Sequence, residues 1–485
     1  PTPTRTPTAT DTATPTDTPT VTPTPTPSFG QLSFSTSNQP GDTISLTVTD
    51  LGEIGLEEVY VAWLYNSHEN TWYRLGIPDL DDSRNGSLTL TDDSGSVFAR
   101  YDGVVISAEI ANAILEFPST QIRYNSILPR EVSDALYQIF VHWDTPEGIN
   151  NPNQLSLLEI GQIEYGFSSD HANRALDAAA QNFAPGMRLH GEHVYNAIQG
   201  TDEDFNQDGS AGNNPSNLRI GLLPTLNNIN SLLIKGASID DMEDELQVAI
   251  VTLQTCASNT VQWTEATFEQ AQTIAVVENA ENILDQTQSW YDGFLPVGPG
   301  QDQDQDGTIE AVEGECGLNS MPQIALSINS QILYGDPWEQ PRDRIRIDFD
   351  QHVPGTGWES PGGVNEVERD HMWTLAERAI LNIFLIDNQD LSLTFVVQRS
   401  LKPEILDSLR LEVNGTPLEL VRTEAGDEGF RYTTTIPQSI LAEATGQTEL
   451  AFIVNEIISP KELGDGQDDR RLGVYFDWLE INPVP

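Results

Sequence analysis

Polar and apolar residues alternate along the first third of the chain in short runs: Gln31 to Thr36, Ile44 to Thr49, Val59 to Tyr65, Ser87 to Thr91 and Val104 to Ser107. A period of two puts every second side chain on one face. With Gly, Asp, Asn and Pro between the runs, residues 29–150 are expected to form the antiparallel strands of an all-β sandwich. From about Ser168 to Asp292 the period lengthens to that of a helix. Leu222, Leu226, Ile229 and Leu233 make one apolar stripe, Met242, Leu246, Ala249 and Leu253 a second, and Ala271, Ile274, Val277 and Leu284 a third. Two further helices are expected over about 170–184 and 187–199, parted by Pro185-Gly186, and Ser238 with Asp241 reads as a capped helix start. Amphipathic helices on short connections predict an α-helical bundle over 151–335. Alternation returns at Ile345 to Phe349, Ala379 to Ile386, Leu391 to Val397, Leu409 to Val413, Leu418 to Val421 and Leu450 to Val454. Asn414-Gly415 predicts a tight hairpin turn within this second β unit, 336–485.

Composition changes the picture at the start of the chain. Residues 1–28 repeat Pro and Thr with too few apolar side chains for a core, which predicts a disordered, extended spacer. The whole chain of 485 residues carries 23 Lys+Arg against 74 Asp+Glu, a net charge of −51. Such a field repels nucleic-acid phosphate and anionic lipid, and favours divalent cations and neutral ligands. No apolar window long enough to span a membrane occurs, and since the chain begins at Pro1, any signal peptide or anchor is expected to lie upstream of it.

The most specific chemistry lies in Asp302-Gln-Asp-Gln-Asp-Gly-Thr-Ile-Glu-Ala-Val-Glu313. Calcium takes six to eight oxygens, supplied in a twelve-residue loop by carboxylates at positions 1, 3, 5 and 12, a carbonyl at 7 and a Gly at 6. Asp302, Asp304, Asp306, Gly307, Thr308 and Glu313 fall on these positions. Glu310 stands at position 9, and Ile309 is expected to point inward. The preceding Phe294-Leu-Pro-Val-Gly-Pro-Gly300 cannot run as a helix, which predicts a structural clamp instead of a sensor. A weaker relative, Asp204, Asn206 and Asp208 before Gly209, lacks a ligating residue at its position 12, Pro215, so weak calcium binding and a plain turn both fit it. His190 and His193 stand three apart on an expected helix, and His171 lies on the helix before it. Three imidazoles so placed can share zinc, copper or iron, but His190 beside Met187, Val194 and Ala197 reads more readily as a core histidine. Cys256 and Cys316 make one pair, open to a bridge in an oxidising compartment or to two buried thiols.

Three stretches resemble known modules. Tyr60-Val-Ala-Trp-Leu64, Trp72-Tyr-Arg-Leu-Gly76 and Tyr101-Asp-Gly-Val-Val-Ile-Ser-Ala-Glu109 follow one another as in the extracytoplasmic domain of RskA-type anti-sigma factors, which they resemble. Gly357-Trp-Glu359, Arg369-Asp-His-Met-Trp373, Leu411-Glu-Val-Asn-Gly415 and Asp468-Asp-Arg-Arg-Leu-Gly473 resemble galactose-binding-like jelly-roll domains of bacterial surface proteins and glycosyltransferases. The His-x-Glu-His helix with its acidic loops is similar to an uncharacterised helical module of secreted proteins from Chloroflexi-like bacteria. The jelly-roll resemblance implies a carbohydrate or cell-surface ligand. Trp358 and Trp373 are of the kind that covers a sugar ring, and Glu359, Arg369 and Arg470 of the kind that binds hydroxyls. The same tryptophans read equally as core, and Arg470 with Asp468 as a structural pair. No Gly-x-Ser-x-Gly elbow, Gly-Lys-Ser/Thr loop or His-Glu-x-x-His helix occurs, so an enzyme is the less favoured class. The expectation is a non-catalytic, calcium-stabilised, extracytoplasmic multidomain protein binding carbohydrate through its last unit. The alternatives are an anti-sigma sensory ectodomain and a histidine-based metal module.

Overall fold

The computed structural model describes residues 27–484 apart from 93–95, 112–114, 116, 120, 147–148, 150, 152, 208, 210–219, 240–241, 336–344, 350–354, 360–371, 386–388, 427–428, 442–446 and 465. Most of the expected Pro/Thr spacer therefore lies outside the described residues, and Ser28 already belongs to the first strand.

The alternating runs form strands in the expected register. β1 (Ser28–Ser35) turns Leu32 and Phe34 inward, and β2 (Thr43–Val48) does the same with Ile44, Leu46 and Val48. β3 (Glu58–Asn66) is buried on both faces: Tyr60, Ala62 and Leu64 enter the main core, whereas Val61, Trp63 and Tyr65 form a smaller cluster on the reverse side. The chain continues through β4 (Thr71–Gly76), β5 (Asp79–Leu80), β6 (Gly86–Thr91), a helical turn α1 (Val97–Arg100), β7 (Gly103–Ile110), β8 (Ile122–Ile127) and α2 (Arg130–Phe140). These strands make two groups of four, β4-β3-β7-β8 and β1-β2-β6-β5. They do not stack as a sandwich. β9 (Gln331–Tyr334), which follows the helical region, lies between β8 and β1 and joins both groups into one curled, nine-stranded antiparallel sheet. The strand that joins the two groups thus comes from outside the stretch 29–150 expected to hold this β unit.

Between β8 and β9 run α3 (Leu157–Ala180), α4 (Ala184–Gln199), α5 (Leu222–Ala237), α6 (Asp244–Ala275), α7 (Leu284–Phe294) and the short α8 (Met321–Ala325). Ser156 and Glu159 form a capping box at the start of α3, and Gly200, at φ 75°, ends α4 in the left-handed conformation a side chain disfavours. The first apolar stripe is the buried face of α5, with Leu222, Leu226, Ile229 and Leu233 all at 0% exposure. The other two stripes meet in α6, one helix of 32 residues, with Met242 before it and Val277 and Leu284 beyond its end. Ser238 closes α5 instead of opening a helix, its hydroxyl donating to the Lys235 carbonyl at 2.8 Å. One continuous hydrophobic cluster joins Leu32, Leu46 and Val104 of the sheet to Leu136, Leu226, Leu253 and Trp290 of the helices, across position 150.

The last unit has its own core. β10 (Ile345–Asp348), β11 (Gly355–Thr356), β12 (Met372–Trp373), β13 (Arg378–Phe384), β14 (Leu391–Ser400), β15 (Arg410–Val413), β16 (Thr416–Leu418), β17 (Val421–Glu424), β18 (Phe430–Ile436), β19 (Gln447–Ile453) and β20 (Val474–Pro483) form sheets of six and five strands. Phe395 and Phe476 of one sheet meet Phe452 of the other edge to face, at 5.2 and 4.8 Å between centroids. Asn414 and Gly415, both at positive φ, turn β15 into β16 as expected. The chain is thus a multidomain protein of mixed α and β structure, and among the described residues no helix is long and apolar enough to cross a membrane.

Candidate metal centre

Three residues connect α3 to α4, so the two helices fold back on each other. Small side chains let them approach closely: a Cβ on Gly186 would stand 3.1 Å from that of Ala178, and one on Gly191 would meet the backbone of α6 at 2.7 Å. His171 of α3 thereby reaches His190 and His193, which one helical turn places on the same side of α4. The Nδ1 atom of His171 lies 3.1 Å from Nδ1 of His190 and 2.9 Å from Nδ1 of His193. Zinc held at about 2.0–2.1 Å in a tetrahedral shell spaces its nitrogens about 3.3 Å apart. The separations therefore suit three ligands of one ion. The ring of Phe167 stacks on His171 at 4.2 Å and walls one side.

The neutral form of His171 and His190 is favoured by burial and neighbouring charges. Burial, then the neighbouring His193 and His190, push His171 down to about 4, and burial followed by the charge of Arg174 also lowers His190. Neutral rings keep the lone pairs a metal needs. Glu192, between the two histidines in sequence, points elsewhere: it is fully buried and accepts from the backbone N–H of Asn206 at 2.8 Å. Glu192 and Asn196, which binds both backbone groups of Glu203, fasten the second acidic loop to α4. In that loop Asp204 accepts from the Gly209 N–H at 3.0 Å, and Asp208 lies outside the described residues.

The main acidic loop converges more fully. Carboxylate oxygens of Asp302, Asp304 and Asp306 lie within 4.8 Å of one another, as do those of Asp304, Glu310 and Glu315. Asp302 accepts from the N–H groups of Asp306 and Gly307, and the Thr308 hydroxyl donates to Asp306 at 2.6 Å. That hydroxyl and the Thr308 N–H hold the Asp306 carboxyl below its usual range. At Glu310 the Thr308 hydroxyl lowers the pKa, but Glu315, burial and the charge of Asp306 outweigh it and raise the net value. Glu313 is exposed and belongs to neither cluster; Glu315, at 4% exposure, takes a place among them that position counting did not assign. Ile309 is 42% exposed, contrary to expectation, and Ala311 packs against the core instead.

Two anchors fix Glu315. Cys316 and Cys256 of α6 form a disulfide with Cα atoms 5.0 Å apart, and Asn259 of α6 accepts from the Gly314 N–H at 2.9 Å and donates to the Val312 carbonyl at 2.9 Å. The adjacency of Glu315 to a cysteine was the one sequence signal that could have singled it out.

The sugar candidates are arranged differently. Trp373 is 5% exposed, stacked on Tyr475 at 4.7 Å with Arg399 over its ring at 5.8 Å. Trp358 packs against Phe349, Phe452 and Phe476, and its indole N–H donates to the Ile380 carbonyl at 2.7 Å. Arg470 is shared between Glu359 and Asp468, and Arg369 lies outside the described residues. The indole faces are thus occupied by protein.

No family model matches the chain, and no curated protein matches it.

Proposed function

We propose that this protein binds a divalent transition ion, zinc foremost, through Nδ1 of His171, His190 and His193. The carrying observation is the approach of three imidazole nitrogens from two helices to about the spacing of neighbouring ligands in one coordination shell. Zinc suits the site better than calcium, because nitrogen donors favour borderline ions over hard ones. In the same reading the Asp302–Glu315 loop takes calcium as a structural clamp, supported by its two carboxylate clusters and its disulfide anchor. The bridge also favours an oxidising, extracytoplasmic setting. The two-sheet unit over 336–485 is proposed as a galactose-binding-like jelly roll carrying a ligand of the cell surface, at a place other than the faces of Trp358 and Trp373.

The test is zinc titration by calorimetry on the full chain, calcium being present throughout. Wild type is expected to take one equivalent that His171→Ala, His190→Ala protein does not, while Asp304→Ala, Asp306→Ala protein keeps it. Equal uptake by wild type and the histidine variant refutes the assignment.

A further inference from the structure

At the end of the nine-stranded sheet where β3 begins, apolar side chains stand in solvent. Leu56 is fully exposed, Ile110 at the end of β7 is 68% exposed, and Ile77 just after β4 is 51% exposed. One exposed aliphatic side chain is ordinary, but three around one groove mark a surface that meets something. Val59 and Val61 of β3 line that groove together with Ile77, Ile110 and Arg74. Leu56 stands beside it, because the Ala111 N–H donates to the Glu57 carbonyl at 2.8 Å and extends the β3–β7 pairing to the turn that carries Leu56. The turn is held at both ends: the Glu58 N–H donates to the Gly55 carbonyl at 3.0 Å, and the Gly55 N–H donates to the Glu58 carboxylate at 2.7 Å. A leucine on a turn fixed in this way loses little freedom when it docks.

Two charges belong to the same surface. Arg74 lies over the ring of Trp63, its cross-strand neighbour, 5.9 Å from the ring centre. Arg74 and Glu57 are both exposed, and neither has an ion-pair partner among the described residues. Glu109, which also lines the groove, is buried and accepts from the Ser119 N–H at 2.8 Å. We infer that this surface is the interface of a homodimer, in which Leu56 of one protomer enters the groove of its partner and Glu57 meets the partner's Arg74. Projection and recess lie side by side, so a two-fold axis between them makes each contact twice and closes the assembly at two. The net charge of −51 on each copy opposes association, but salt of physiological strength screens charges more than about 8 Å apart and leaves the close pairs less affected.

Sedimentation velocity of the full chain, in about 0.15 M salt and at up to about 100 μM protein, tests the interface. Wild type should form a reversible dimer. Leu56→Asp should be monomeric throughout with an unchanged circular dichroism spectrum, since Leu56 lies outside the core. Arg74→Glu should weaken association about tenfold, because two exposed ion pairs are lost per dimer. Adding Glu57→Arg to that variant should restore the dimer, which a merely structural role of either residue would not do. A wild-type monomer at every concentration, or a dimer that Leu56→Asp leaves intact, overturns the interface. Failure of the double exchange to restore association overturns the contact between Glu57 and the partner's Arg74.

Discussion

Removal of the bridge between Cys256 and Cys316 by the double change Cys256→Ala, Cys316→Ala should lower the stability of the sheet-and-helix unit by about 4 kcal/mol. Both cysteines are fully buried and stand 60 residues apart in sequence. The bridge closes a loop holding the whole second half of α6, all of α7 and the acidic loop. Tying such a loop removes about 14 cal/mol/K of entropy from the unfolded chain on the chain-entropy model, hence the figure of about 4 kcal/mol at room temperature. Alanine is preferred to serine because a hydroxyl left in this site would add its own desolvation cost. Urea unfolding followed by tryptophan fluorescence and circular dichroism reads the effect. With a slope of about 3 kcal/mol per molar, the first transition should move down by about 1.3 M. The separate core of the last unit provides an internal reference, since its transition should not move. A shift well below about 0.3 M would show that the unfolded segment stays compact without the bridge, and the loop-closure reasoning would fail. Equal movement of both transitions would refute the assignment of the effect to one unit.

Two further outcomes follow from the same structure. Leu333→Ala in β9, at a residue with 0% exposure, should destabilise the sheet and the helices together by about 3 kcal/mol, with helical ellipticity and Trp63 environment lost at the same urea concentration; separate loss would refute the shared core. Asp42 accepts the backbone N–H groups of Asn38, Ser37 and Gln39, which hold its carboxyl at about 2 against an ordinary 3.8. Because the folded value is the lower one, its contribution is present above 3.8 and is lost as pH falls through about 2, so melting temperature should fall more steeply across that window in wild type than in Asp42→Asn, and parallel profiles would refute the assignment.

What could be read from the chain depended on how local the governing contact is. The runs that became β1, β2, β3, β6 and β7 were legible because each strand shows its own alternation, whatever its partner. β9 was not: Gln331 to Tyr334 is four residues long, and its partner β1 begins at Ser28, so nothing nearby announces that it closes the sheet. β20 hid for another reason. Val474, Tyr475 and Phe476 are buried in succession and its pairing with β14 shifts register twice, so the period of two is interrupted in the strand that joins β10 and β14. In α6 the apolar stripe lapses at Asn259, Thr260, Thr264 and Thr267, all buried. The helix continues because the Thr264 and Thr267 hydroxyls donate back to the carbonyls four residues earlier, at 2.8 Å each, and satisfy themselves within the helix.

The same distinction divides the candidate sites. His190 and His193 sit one turn apart in sequence, and the short connection between α3 and α4 brings His171 beside them, so a constellation made of one helical hairpin could be read from spacing alone. The acidic loop was legible for its first three aspartates, which share one turn of backbone. Its closure was not, because the burial of Glu315 instead of Glu313 is set by Cys256 and Asn259 on a helix more than fifty residues away. The aromatic candidates show the limit of residue type as a guide. A tryptophan suited to a sugar ring is equally suited to a core, and only the cross-strand partners decide: Tyr475 and Arg399 cover Trp373, and three phenylalanines surround Trp358. Ligand geometry that one short segment can encode survives from sequence to structure, whereas exposure, a property of the whole fold, does not. The histidine hairpin is therefore where this chain's chemistry is best sought.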